Sequence, residues 1–472
     1  MLNSRLNLPP AKGRKAVSRL APSIESYLIY QRVRSHSLTK TPAVLDVRAE
    51  LESSGASAID KGIPFDFRFG SVAASQASVN ILDEAMHFPL LVLKEPALAY
   101  NIAAMAGWCA ANNFLISPHG KTTMTPRIFE RQLAAGAWAI TVATASQAAV
   151  CAEMGVKRIL IANQVVGRAN IRSLAAMMNA DSSLEILCLV DSMDGIELLT
   201  SEWQSAGVGR PIGVFVEMGH LGWRTGARSL DSALELCAET AKHPQTLSFR
   251  GIEGFEGLAH AAQSEEEGRQ AAGFLADVAA FGKALQDTFP APKHPLLLSV
   301  GGSGFLDAVW EFSQQMQKHF QIVIRSGCYV THDHGYYAGK LVAAHQRSKG
   351  RGKLPMFRPA LELWSLVQSK PEEGLAILNF GKRDCSYDVE LPIPLFARNR
   401  KATTTHVDLK NATVFECNDQ HAYLKGPGIG QLKVGDQVCC GISHPCTAID
   451  KWRTLLLVDD SYNLLDIYRT YF

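Results

Sequence analysis

The sequence predicts an α/β protein in which a (β/α)8 TIM-type barrel is joined to a C-terminal β-rich domain. Three observations carry this. From Phe88 onward, short apolar runs alternate with Ala-rich helical patterns, as repeated βα units around a parallel sheet require. Eight such strands follow an isolated first one before residue 350. After about Lys353 the alternation stops, and strand-like runs separated by turn signals take over. A doubly wound open sheet stays in competition, because periodicity does not show closure.

In chain order, residues 1–85 read as an appendage: Pro9-Pro10, an amphipathic piece near Ile24 to Val33, then Ser- and Ala-rich sequence. Arg5, Lys12, Arg14, Lys15 and Arg19 precede the first acid, Glu25, in the manner of a weak transit peptide, but no apolar secretory core follows and a disordered extension is expected. The barrel is placed at 86–350. Its isolated first strand, Leu90 to Leu93, is expected to join the sheet of the second domain. The eight barrel strands are placed at Phe114 to Ser117, Ala139 to Ala143, Ile159 to Ala162, Ile186 to Val190, Ile212 to Glu217, Phe249 to Phe255, Leu296 to Val300 and Gln321 to Arg325. The Gly- and Lys-rich stretch Ser348 to Lys353 marks the boundary to a β domain at 351–472, with turns at Lys433-Val434-Gly435-Asp436 and Asp459-Asp460-Ser461.

Composition narrows the function. With 47 Lys and Arg against 45 Asp and Glu, the net charge of +2 offers no electrostatic footprint for nucleic acid. No apolar run reaches the roughly 18 residues that a membrane span needs. Ten cysteines in 472 residues are dilute and sit mostly in apolar contexts, so a reduced, cytoplasmic protein is expected. The neighbours Cys439 and Cys440 read as strand thiols facing opposite ways.

In a barrel, reactive groups belong at the C-terminal ends of the strands. The first barrel strand ends in Ser117-Pro118-His119-Gly120-Lys121, and a lysine in such a turn faces the barrel mouth, where partial desolvation suits it to a Schiff base; a solvated loop lysine is the plain alternative. The seventh ends in Gly301-Gly302-Ser303-Gly304 and the eighth in Arg325-Ser326-Gly327-Cys328-Tyr329. Glycine-rich turns there let backbone N–H groups approach a phosphate, although neither turn matches a P-loop or dinucleotide fingerprint. Lysine and phosphate turns become neighbours when a barrel closes, which fits a phosphorylated aldehyde, pyridoxal phosphate. Arg224, on a Gly-flanked turn after the fifth strand, is placed to meet a ring nitrogen or a carboxylate. Phe255, ending the sixth, either lies against the cofactor or fills the barrel top, with His260 just beyond. In the second domain, His444 and Cys446 stand two positions apart and favour zinc. His332-Asp333-His334 reads better as a hydrogen-bonded loop.

These pieces, taken together, resemble the fold-type III pyridoxal phosphate enzymes, whose barrel is alanine racemase-like, and within them the D-serine dehydratase and D-threonine aldolase family. The resemblance covers about residues 85 to 472. It rests on Pro89-Leu90-Leu91-Val92-Leu93 with Asn101-Ile102, Pro118-His119-Gly120-Lys121-Thr122, Thr141-Val142-Ala143-Thr144, Gly222-Trp223-Arg224-Thr225-Gly226, Arg325-Ser326-Gly327-Cys328-Tyr329 and His444-Pro445-Cys446, in order. Phe255 stands where the family commonly shows tyrosine, and Thr123-Met124 replaces a more polar continuation.

The resemblance implies that Lys121 carries the cofactor as a Schiff base and then takes the α-proton of a D-amino acid. It further implies that Gly301, Gly302, Ser303, Gly304, Gly327 and Cys328 bind the phosphate, that Arg224 faces the pyridine nitrogen, and that His119, Phe255 and Tyr329 also line the cofactor. His444 and Cys446 would hold Zn2+, or another divalent ion such as Mn2+, on the substrate β-hydroxyl. The implied reaction is β-elimination to a 2-oxo acid and ammonia. A D-threonine aldolase is the alternative, disfavoured by Cys446 where aldolases tend to have aspartate, and a non-catalytic cofactor-binding protein is a third. The family further implies a homodimer with its site at the barrel mouth against the β domain, so that the metal pair of one domain reaches the lysine of the other.

Overall fold

The computed structural model describes residues 59–65, 79–83, 86–260, 264–289, 296–399 and 406–472. Most of the expected appendage at 1–85 lies outside the described residues.

The chain enters at β1 (Leu90–Lys94) and α1 (Glu95–Ala111), and the barrel strands follow as β2 (Leu115–Ile116), β3 (Ile140–Val142), β4 (Arg158–Gln164), β5 (Glu185–Val190), β6 (Ile212–Met218), β7 (Leu247–Gly254), β8 (Leu296–Val300) and β9 (Phe320–Ile324). Between and after them run α2 (Pro126–Ala134), α3 (Ala145–Glu153), α4 (Arg168–Ala180), α5 (Met193–Ser205), α6 (Leu230–Ala241), α7 (Ser264–Thr288), α8 (Leu306–Met316) and α9 (Tyr336–Ser348). Local chemistry sets several starts: Thr144, Ser192 and Ser229 each accept a backbone N–H at the first turn of α3, α5 and α6. No helix among the described residues is long and apolar enough to cross a membrane.

The eight strands are parallel, in the order β2-β9-β8-β7-β6-β5-β4-β3. Between β2 and β3 the Trp138 N–H donates to the Ile116 carbonyl at 2.7 Å, the Thr141 N–H to the Pro118 carbonyl at 2.8 Å, and His119 bridges Thr141. These bonds close the cylinder, which removes the open-sheet alternative. Alternation along the strands sorts the side chains: Leu160, Leu187, Leu189, Phe215, Leu297 and Val323 fill the barrel, while Ile159, Ile161, Ile186 and Cys188 pack outward under the helices.

The second sheet has ten strands: β1 with β10 (Leu361–Glu372), β11 (Leu375–Leu378), β12 (Ile393–Arg398), β13 (His406–Asp408), β14 (Thr413–Cys417), β15 (Ala422–Lys425), β16 (Gln437–Gly441), β17 (Thr454–Val458) and β18 (Leu464–Arg469), plus the one-turn α10 (Cys446–Ile449). Strand β1 runs antiparallel to β10 and parallel to β17. Its residues divide by pleat: Leu90 and Val92 pack with Trp364 and Cys439, whereas Leu91, Leu93 and Cys440 join the main core. Cys439 and Cys440 thus face opposite ways, and all ten cysteines are free.

Candidate active site

The lysine segment is built by β2 and its seam. Beyond β2, Ser117 Oγ meets Thr141 Oγ1 at 2.7 Å, and the chain then makes one 3-10 turn, Gly120–Thr122. A Cβ on Gly120 would sit 2.8 Å from the Phe129 ring, so glycine is required for the turn to pack. Lys121 is exposed at this turn, so the desolvation expected of it is absent here: its neighbours bury the turn's backbone, not the ammonium. His119 beside it is buried. Burial first, then the charges of Lys121, Arg325 and Arg224, hold its pKa well below the ordinary imidazole value, and its Nδ1 has no partner.

The turn after β9 lies directly on this segment. A Cβ on Gly327 would come within 2.6 Å of the His119 carbonyl oxygen and 2.7 Å of Thr122 Oγ1. Cys328 Sγ lies 3.8 Å from Thr122 Oγ1. Tyr329, expected at the cofactor, is turned into the core: its hydroxyl accepts from Gln132 Nε2 at 2.9 Å and its ring lies 5.7 Å from Phe357. The one-turn helix Cys328–Val330 rotates it away from the mouth.

The turn after β8 departs from expectation as well. The N–H groups of Gly301 and Gly302 donate to the buried Glu256 carboxylate at 3.1 and 2.7 Å, so neither is free for a phosphate. Ser303 Oγ meets Ser326 Oγ at 2.8 Å, and a Cβ on Gly304 would meet nothing within 4 Å. The accessible face of the turn is therefore Ser303-Gly304. Phe255 lies between two cations, Arg224 at 5.1 Å and Arg325 at 5.8 Å from its ring centroid. Arg325 pairs with buried Glu253; one Glu253 oxygen and the Arg325 Nε have no partner. His260 is exposed, 3.4 Å from Glu267.

The second domain delivers His444 and Cys446 on the loop between β16 and α10. His444 Nδ1 lies 2.6 Å from Asp388 Oδ2, and Thr447 Oγ1 donates to the other Asp388 oxygen at 2.7 Å. Cys446 Sγ lies 3.4 Å from both Cys328 Sγ and Thr122 Oγ1. Cys328, opposed by burial and helped by His444, holds the Cys446 thiol well below its ordinary value. Burial lowers His444, but Cys446 and Asp388 outweigh it and lift the imidazole to about 9. A carboxylate on one ring nitrogen, leaving the other beside the Cys446 sulfur, is the donor set that a soft divalent ion takes. Among the described residues no group of three or more His, Cys, Asp or Glu side chains is arranged to hold a metal, so the pair stands by itself. His332-Asp333-His334 is a hydrogen-bonded loop: Asp333 accepts the N–H groups of Gly335, Tyr337 and Ala338, starting α9.

Sequence reasoning missed Thr122, Asp388 and Glu256 in these roles. The first adjoins the lysine and was within reach of the motif; the other two meet partners 56 and 45 residues away, which no spacing pattern signals.

Comparison with known proteins agrees with this architecture. Residues 94–322 match the alanine racemase N-terminal domain, and residues 360–458 match the domain described as "Putative serine dehydratase domain". The 3-hydroxy-D-aspartate aldolase of Paracoccus denitrificans (strain Pd 1222) is 25% identical over 376 residues, 79% of this chain and 89% of that protein. The structure of D-threonine aldolase from Filomicrobium marinum superposes with a TM-score of 0.70 at 22% identity, covering 84% of this chain and 98% of that one. That of D-threo-3-hydroxyaspartate dehydratase from Delftia sp. HT23 gives 0.63 at 16%, covering 84% and 99%. Both domain matches thus lie in order along one chain, which is similar in sequence to D-hydroxy amino acid aldolases and shares the barrel and β-domain architecture of solved fold-type III pyridoxal phosphate enzymes.

Proposed function

We propose that this protein is a pyridoxal phosphate-dependent, metal-assisted lyase that eliminates water from a D-β-hydroxy amino acid, giving a 2-oxo acid and ammonia. The observation that carries this reading is the contact of Cys446 with Thr122, which sets the metal pair beside Lys121 within one chain. The residues fit both groups. Unpartnered buried atoms at the mouth (His119 Nδ1, Glu253 Oε2, Arg325 Nε) and the open face at Ser303-Gly304 suit a polar, phosphorylated ligand. When bound, pyridoxal phosphate supplies electron withdrawal from Cα and the divalent ion supplies Lewis acidity at the β-oxygen.

The protein's own groups do the rest. Lys121 would hold the cofactor through Nζ, and the same amine, released when the substrate's amino group takes its place, would be the base for the α-proton. Arg224 presents a guanidinium, which has only donors to offer, so a ring nitrogen facing it would be disfavoured from gaining a proton and the cofactor would withdraw fewer electrons. That shifts the work to the β-oxygen, the atom His444 and Cys446 serve. Asp388 fixes the His444 tautomer by accepting the hydrogen bond of Nδ1–H, which would leave the other nitrogen's lone pair for a metal. Ser303, Gly304, Gly327 and Cys328 would hold the phosphate. The free cysteines fit a reducing, cytoplasmic setting, and the working unit in this reading is a homodimer.

Retro-aldol cleavage is the second reading, favoured by the aldolase relative. D-threonine separates the two. Incubated with pyridoxal phosphate and Zn2+, the protein is expected to yield 2-oxobutyrate and ammonia; glycine and acetaldehyde would make it an aldolase. A cofactor band without turnover would make it a binding protein. Cys446→Ala is expected to abolish turnover and lower zinc content while leaving the band of lysine-bound cofactor intact, and Lys121→Ala to remove that band. Full activity in the cysteine variant would sink the metal reading.

A further inference from the structure

We infer that Glu256 is a positioning residue that fixes where the cofactor phosphate sits, by filling the Gly301-Gly302 end of the glycine-rich turn and leaving only the Ser303-Gly304 end open. The inference rests on the reading that this site takes pyridoxal phosphate.

Two successive backbone N–H groups aimed at one point form an anion nest. In this chain the nest after β8 is already occupied: Glu256 Oε2 accepts from Gly301 at 3.1 Å and Oε1 from Gly302 at 2.7 Å, with the carboxylate fully buried. A phosphate has no place there. Both donors are spent, and a second anion against the carboxylate is repelled in a medium of low dielectric. Packing closes the same end. A Cβ on Gly302 would lie 2.8 Å from the Phe255 ring, and one on Gly301, whose φ is +87°, would lie 3.2 Å from Ile324 Cδ1.

The other end of the turn has the opposite character. Nothing lies within 4 Å of a Cβ at Gly304, and Ser303 Oγ meets Ser326 Oγ at 2.8 Å on the neighbouring turn. That neighbour carries Gly327, which abuts the His119 backbone two residues before Lys121. Glu256 therefore anchors the first link of a chain running from the end of β7 through the turns after β8 and β9 to the lysine. Moving the first link moves the phosphate seat relative to the amine that must meet the aldehyde.

Glu256→Gln keeps the shape but sets an amide N–H2 against one of the glycine N–H groups, so one of two bonds becomes a donor facing a donor. The test uses the full chain and follows the absorbance of lysine-bound cofactor while titrating with pyridoxal phosphate or, separately, with pyridoxal, which lacks the phosphate. The expected result is a loss of pyridoxal phosphate affinity of about tenfold or more, with pyridoxal changed by less than about twofold. Glu256→Asp should shift the same ratio in the same direction by less, and it carries the test if the glutamine variant is insoluble. Equal losses for both aldehydes would mean a structural role only, and unchanged affinities would mean none; either overturns the inference. Wild-type protein that gives no band with either aldehyde would overturn the cofactor reading itself, and this inference with it.

Discussion

Glu253 is buried against Arg325, with Glu217 and Glu256 close enough to repel it. Burial, opposed by Arg325 and reinforced by those two carboxylates, pushes its pKa from an ordinary 4.5 to about 8. The folded protein thus holds this proton more tightly than the unfolded chain. Its contribution to stability is whole below about pH 4.5 and is lost as pH rises through about 8. Buried His332 and His334, lowered to about 4 by burial, contribute in the opposite sense, losing stability as pH falls. The difference between wild type and Glu253→Gln isolates the carboxyl: urea midpoints at pH 5 and pH 8 should separate more in wild type than in the variant. At this scale the sequence is selectively legible. Lys121, Arg224, His444 and Cys446 stand out because Gly or Pro within two residues of each marks a turn beyond a strand. Glu256 and Asp388 do not, because their roles come from partners that only the closed barrel and the docked domain supply.

Strand β7 carries Gly251, at a φ of +147°, where an added Cβ would come 1.8 Å from the Leu297 carbonyl oxygen on β8. Gly251→Ala must therefore part β7 from β8 and is expected to cost at least about 1–3 kcal/mol in denaturant unfolding. The seam offers a milder test: Thr141→Val removes the buried hydroxyl that contacts Ser117 Oγ and donates to the Ser117 carbonyl, worth about 1–2 kcal/mol. Element placement was read well where apolar runs are bounded by breakers, as at Leu296–Val300, which folds over the predicted residues. It was less sharp at Phe114 to Ser117, where only Leu115–Ile116 forms ladder bonds. That strand lies at the seam, and Ser117 divides its polar groups: its N–H donates to the Ile324 carbonyl of β9, while its hydroxyl and carbonyl meet Thr141 across the seam.

At the level of the whole molecule, a strand that precedes the barrel in the chain completes the sheet of the second domain. Because β1 fills the slot between β10 and β17, residues 351–472 expressed alone would expose two unpaired sheet edges over an apolar face. They are expected to aggregate or to lack a cooperative thermal transition, whereas residues 86–472 should melt cooperatively by calorimetry. The order of barrel and β domain was legible because helical periodicity stops at one place, while closure of the barrel was not, since it depends on three contacts between segments that carry no shared pattern. This early strand also sets an order of events during synthesis. Val92 leaves the ribosome long before its partner Leu456 is made. Until then an apolar strand waits without its mate, so completion of the β domain is a slow, late step that favours chaperone engagement. Because His444 and Cys446 arrive with that step, the barrel carries Lys121 before the loop that packs against Thr122 is in place.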